Sequence, residues 1–94
     1  MDHFSYRNRI LHCDDVPVPA LAQEHGTPLW VYSKRTLLHH LESLRRAFAA
    51  AEPLICYSIK TNGNLHITKL MVEHGAGCEH QRIGTGGHPC KRRV

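Results

Sequence analysis

The chain has 94 residues and a formal net charge of +4, enough for one small domain with a limited core. The charge is unevenly spread: residues 1–77 hold eight Lys/Arg against seven Asp/Glu, whereas Arg82, Lys91, Arg92 and Arg93 face only Glu79 in the remainder. This is the pattern of a nearly neutral body with a solvated basic tail, and it does not point to a nucleic-acid partner; with no apolar run of about 18 residues and no apolar leader after Met1, the expectation is a cytoplasmic protein without a membrane partner.

In chain order, Phe4–Arg7 and Arg9–His12 flank Asn8, a residue that tolerates left-handed backbone, which predicts a short hairpin. Asp14 or Asp15 is then a candidate cap for a helix starting near Pro17 and ending at Gly26. Leu29–Tyr32, rich in aromatic and branched side chains, reads as a strand. Ser33 is a candidate cap for the clearest helix, in which Leu37, Leu38, Leu41, Leu44, Phe48 and Ala51 recur at helical spacing until Pro53. The neighbouring His39 and His40 point in different directions on such a helix and read as surface or rim residues.

Leu54–Ile59 is an apolar run broken only by Ser58, the pattern of a strand covered on both faces. Asn64 can cap a further helix carrying Ile67, Leu70, Met71 and His74 on one face, with Gly75 as its stop. Strand, helix, strand, helix is the opening of an α/β fold built from right-handed crossovers.

Lys60 ends the apolar run where that last helix is about to begin. A strand-end amine beside apolar walls is less hydrated, which favours the free base that attacks carbonyl carbon. The alternative is a lysine whose stem snorkels to solvent. The eight residues Tyr57-Ser58-Ile59-Lys60-Thr61-Asn62-Gly63-Asn64 resemble the cofactor-lysine motif Tyr-Ala-Val-Lys-Ala-Asn of the pyridoxal-phosphate decarboxylases that act on diaminopimelate, ornithine and arginine. Gly26-Thr27-Pro28-Leu29-Trp30-Val31-Tyr32-Ser33 is similar to the Gly-Thr-Pro-Leu-Tyr-Val-Tyr segment of the diaminopimelate branch. The likeness runs over residues 1–77.

The resemblance implies an alanine-racemase-like (β/α)8 barrel, preceded by a short segment that in the family belongs to a β domain. A barrel alone takes about 250 residues, so it is expected to be incomplete here. The implied division is an N-terminal strand and helix segment over 1–33, the first βα units of a cofactor-binding barrel over 34–77, and an atypical basic tail over 78–94. The resemblance further implies a carboxy-lyase fragment that binds pyridoxal 5'-phosphate through Lys60, with Asn62 near enough to touch the cofactor. In the full-length family the substrate is a small amino acid, meso-diaminopimelate giving L-lysine, and the enzyme is a homodimer. The phosphate loop, the acid at the ring nitrogen and the ring-stacking histidine come from later sequence, so the fragment is expected to be inactive. Other ornithine or arginine decarboxylases, a racemase, a small basic nucleic-acid-binding module and a partner-docking module are the alternatives.

Residues 78–94 leave the family pattern. One reading is a shifted frame near Cys78, since a one-base shift of the possible codons permits Ile-Ser-Gly-Ser-Glu-Leu, close to the family's Val-Ser-Gly-Gly-Glu-Leu. Gly84-Thr85-Gly86-Gly87 superficially resembles a phosphate cradle but reads as a loop, because no strand precedes it and no helix follows. Cys78-x-His80 and His88-x-Cys90 are spaced more tightly than zinc knuckles, so no metal is expected. The four cysteines, at 13, 56, 78 and 90, form no Cys-x-x-Cys pair and are expected to be reduced.

Overall fold

The computed structural model describes residues 2–79, which fall into two compact units divided between His40 and Leu41. In the first unit, strands β1 (Phe4–Arg7), β2 (Ile10–Cys13) and β3 (Val16–Pro17) form an antiparallel sheet in sequential order. β1 and β2 pair with Tyr6 opposite Leu11 and Arg7 opposite Ile10. The predicted hairpin therefore forms, but Arg9 belongs to its turn: Asn8 and Arg9 have φ of 50° and 64°, as a two-residue loop with both central positions left-handed requires.

Asp14 and Asp15 do not cap the following helix. They make a second turn, with Cys13 opposite Val16 and Asp14 at φ 55°. The chain then passes through β3 before α1 (Val18–His25) begins after Pro17, which has no side-chain cap bond. Both carboxylates are thereby freed for other partners. α1 ends as expected at Gly26, whose φ is 81° and whose N–H donates to the Ala22 carbonyl at 2.8 Å.

Residues 29–32 do not form the predicted strand. A strand persists where a neighbour completes its ladder, and among the described residues the two sheets are β1-β2-β3 and β4-β5 only. Trp30 is 86% exposed.

α2 (Lys34–Ala47) starts after Ser33 as predicted: the Ser33 hydroxyl oxygen accepts from the Thr36 N–H at 3.0 Å, and its carbonyl from Leu37 at 3.1 Å. The helix stops before Pro53 is reached. A 3-10 turn follows at Ala49–Ala51, and Glu52 adopts φ 47°. Proline excludes its predecessor from right-handed helical backbone, so the winding tightens and ends ahead of it.

In the second unit, β4 (Cys56–Ser58) and β5 (Gly77–Glu79) are parallel, with Cys56 opposite Gly77, Tyr57 opposite Cys78 and Ser58 opposite Glu79. α3 (Leu65–Glu73) connects them, making a βαβ unit of the kind α/β folds are built from. β4 is shorter than the predicted 54–59 because its ladder is only as long as β5. The Gly77 N–H adds one bond to the Ile55 carbonyl at 2.8 Å. Among the described residues of this unit, Leu41, Ile67 and Ala76 are the buried apolar ones.

α3 ends in a Schellman motif. Ala76 N–H donates to the Met71 carbonyl at 3.0 Å and Gly75 N–H to that of Val72 at 3.1 Å, with Gly75 at φ 89°; this pairing satisfies carbonyls that the helix end would otherwise leave open. Arg45 donates to the His74 carbonyl beside it and to the Glu42 carboxylate at 3.1 Å.

The glycine loop at 84–87, His80, His88, Cys90 and the terminal basic cluster lie outside the described residues. Cys13 and Cys78 are free thiols, as expected.

Candidate functional site around Lys60

Lys60 lies in a 3-10 turn (Ile59–Thr61) between β4 and α3. The sequence pattern puts it at the last position of a strand; the ladder instead stops at Ser58, and Lys60 occupies the centre of the turn beyond it. Its side chain is exposed, so the loss of hydration expected of a strand-end amine beside apolar walls is not met. The turn is on the carboxyl side of β4, the end at which α/β sheets and barrels carry their ligands.

Side chains on both flanks hold this turn. The Tyr57 hydroxyl donates to the Asn62 carbonyl at 2.7 Å, and the Thr61 hydroxyl to the Ser58 carbonyl at 2.7 Å. The Asn62 side-chain oxygen accepts from the Asn64 N–H at 3.0 Å, an Asx-type turn. Asn64 caps α3, its side-chain oxygen accepting from His66 N–H at 2.9 Å and Ile67 N–H at 3.3 Å. The expectation that Asn64 starts the helix is met, and Asn62 shapes the turn before it. The Tyr57 bond is not legible in the sequence, where Tyr57 reads as a packing residue; the only cue is a hydroxyl-bearing ring five positions before Asn62.

A cavity of about 370 Å³ in this unit lies elsewhere. It is lined by Arg45, Glu52, Leu54, Ile55 and Gly75 among others, residues that precede β4 or follow α3. Neither Lys60 nor Asn62 borders it, so it adds nothing to the lysine site.

The first unit gathers a separate polar cluster. Ser33, which is buried, donates to Asp14 at 2.5 Å, and Asp15 accepts from Arg35 at 2.5 Å and Arg7 at 3.1 Å. The Arg35 bond, with that of Arg7, holds the Asp15 carboxyl below the usual carboxylate range. Burial, with Asp14 nearby, pushes the Cys13 thiol up. These contacts tie the turn after β2 to the start of α2, a structural task. His3, whose ring lies 6.1 Å from that of His39, contacts the Thr36 hydroxyl through its N–H at 2.9 Å and Nδ1 at 3.0 Å. Among the described residues no three His, Cys, Asp or Glu side chains form a group able to hold a metal, and no helix is long and apolar enough to cross a membrane.

No family model matches the chain, and no solved structure does. Among curated proteins it is similar to the diaminopimelate decarboxylase of Neisseria meningitidis serogroup B, at 49% identity over 77 residues, covering 82% of this chain and 18% of that protein. It is 43% identical over 85 residues to that of Aquifex aeolicus, covering 90% and 19%, and 38% identical over 77 residues to that of Haemophilus influenzae, covering 82% and 19%. The chain thus spans about a fifth of the length of these relatives. Across most of its own length, then, the chain resembles diaminopimelate decarboxylase and fits an N-terminal fragment of it.

Proposed function

We propose that Lys60 is the residue through which this chain holds pyridoxal 5'-phosphate, and that the chain is part of a carboxy-lyase acting on meso-diaminopimelate. The observation that carries the reading is the seating of the Tyr57–Asn64 motif on a strand, turn and capped helix with the lysine exposed at the turn's centre. A primary amine condenses with an aldehyde. Asn62 is the neighbouring residue able to touch the bound group. Its side-chain oxygen already serves the Asn64 N–H, which leaves the amide nitrogen for such a contact.

Bound, the cofactor supplies a conjugated system that accepts the electron pair left by departing carbon dioxide. The chain's own contribution is to fix the Lys60 Cα and to offer Nζ as a group that can carry the proton returned to the product. The 94 residues do not sustain turnover, since the family's partners for the phosphate and ring nitrogen come from sequence beyond this chain's likeness. Homodimer formation and a cytoplasmic setting belong to the same proposal.

The test is to incubate the chain with pyridoxal 5'-phosphate, reduce with borohydride, and map the adduct by peptide mass spectrometry. Lys60 is expected to be labelled in preference to Lys34, Lys69 and Lys91, with no carbon dioxide released from meso-diaminopimelate. Equal labelling of the four lysines would refute the cofactor role, and efficient decarboxylation would refute the inactivity of the fragment.

A further inference from the structure

We infer that Tyr57 and Thr61 are positioning residues for Lys60, acting as a two-point clamp on its turn; the inference rests on the cofactor role proposed for that lysine. β4 is three residues long and has one described neighbour, β5, so its ladder alone gives the segment after Ser58 little rigidity. The clamp supplies what the ladder does not. Tyr57 spans the turn from outside, hydroxyl to the Asn62 carbonyl, while Thr61 closes it from within, hydroxyl to the Ser58 carbonyl, and Lys60 lies inside both loops.

Packing does not account for the Tyr57 hydroxyl. The half-buried ring stands in the middle of β4, opposite Cys78, and phenylalanine would fill that place equally well. What the oxygen adds is a 2.7 Å bond to a carbonyl two residues beyond the lysine. Thr61 makes the same case: its side chain is exposed, and its hydroxyl is turned back onto the chain. A lysine brings four rotatable carbons to any reaction and loses rotamer freedom when held. Fixing the backbone beneath it confines the amine to one side of the strand end before an aldehyde arrives, the economy of preorganisation.

Tyr57→Phe in the full chain tests this with two readouts. Without cofactor, amide hydrogen exchange across 60–64 is expected to quicken by about fivefold, the loss of one net hydrogen bond, while exchange in α1 is unchanged. With pyridoxal 5'-phosphate and borohydride, the labelling of Lys60 relative to Lys69 is expected to fall by a similar factor, about fivefold, with Lys69 labelling constant. A role in stability alone would alter all lysines together. Thr61→Val, with Thr61→Ser expected to restore the wild-type ratio, carries the same test should Tyr57→Phe fail to fold. Wild-type preference for Lys60 that survives Tyr57→Phe, or Thr61→Val in its stead, overturns the clamp alone. Absence of any preference in the wild-type chain overturns the cofactor reading and the clamp with it.

Discussion

Gly75 shows how one residue joins an element's end to its neighbour. Its φ of 89° is expensive for any side chain, and an added Cβ would sit 3.0 Å from the Arg45 guanidinium that braces the end of α3. Gly75→Ala is expected to destabilise the chain by about 1–2 kcal/mol, as measured by chemical denaturation; a change below a few tenths would contradict the φ and the contact. Asp15 carries a pH prediction of definite sign. Its folded pKa lies below the ordinary 3.8 because Arg35, then Arg7, bond the carboxylate. The unfolded chain therefore binds the proton first as pH drops, so the pairing stabilises above about pH 4 and is lost as pH falls through the folded value. An NMR titration of the Asp15 carboxyl should show the low midpoint and its return upward in Arg35→Ala. Cys13 runs the other way: its raised pKa keeps the thiol protonated, and it should alkylate more slowly with iodoacetamide than Cys78 at pH 8, because the thiolate is the nucleophile.

Elements with local causes are those the sequence announces. Ser33 and Asn64 are recognisable as caps because the bonds they make reach only two or three residues ahead, and Gly26 and Gly75 as stops because the left-handed backbone is a property of the position itself. Asn64→Ala is expected to cost about 1 kcal/mol, the usual value of a cap, and to loosen the first turn of α3 in hydrogen exchange; retained protection there would count against the cap. Elements that depend on distant partners are less legible. Leu29–Tyr32 has the composition of a strand without a described ladder to join, and β4 is cut to the length of β5. The two aspartates illustrate competition: each suits a helix cap, but the turn after β2 claims them, and Arg7, Arg35 and Ser33 then engage both. Lys60 is singled out by its motif, while the turn that carries it, and the Tyr57 bond across that turn, need coordinates.

At the scale of the molecule, few apolar side chains are buried among the described residues: Cys13 in the first unit, and Leu41, Ile67 and Ala76 in the second. Leu44, Phe48, Leu54 and Leu65 remain about half exposed or more. Burial of this extent stabilises weakly against the chain entropy of folding, and the apolar surface left open should bind a hydrophobic dye. A rise in 8-anilinonaphthalene-1-sulfonate fluorescence on mixing with the native chain is expected, and its absence would mean that the surface is covered in solution. The sequence's lone tryptophan, Trp30, is 86% exposed. Its indole already meets water in the folded state, so its emission will sit near the solvent-exposed wavelength before and after denaturation. A melting curve followed by that signal would look flat while the helices unravel, and only circular dichroism or tyrosine emission would register the transition.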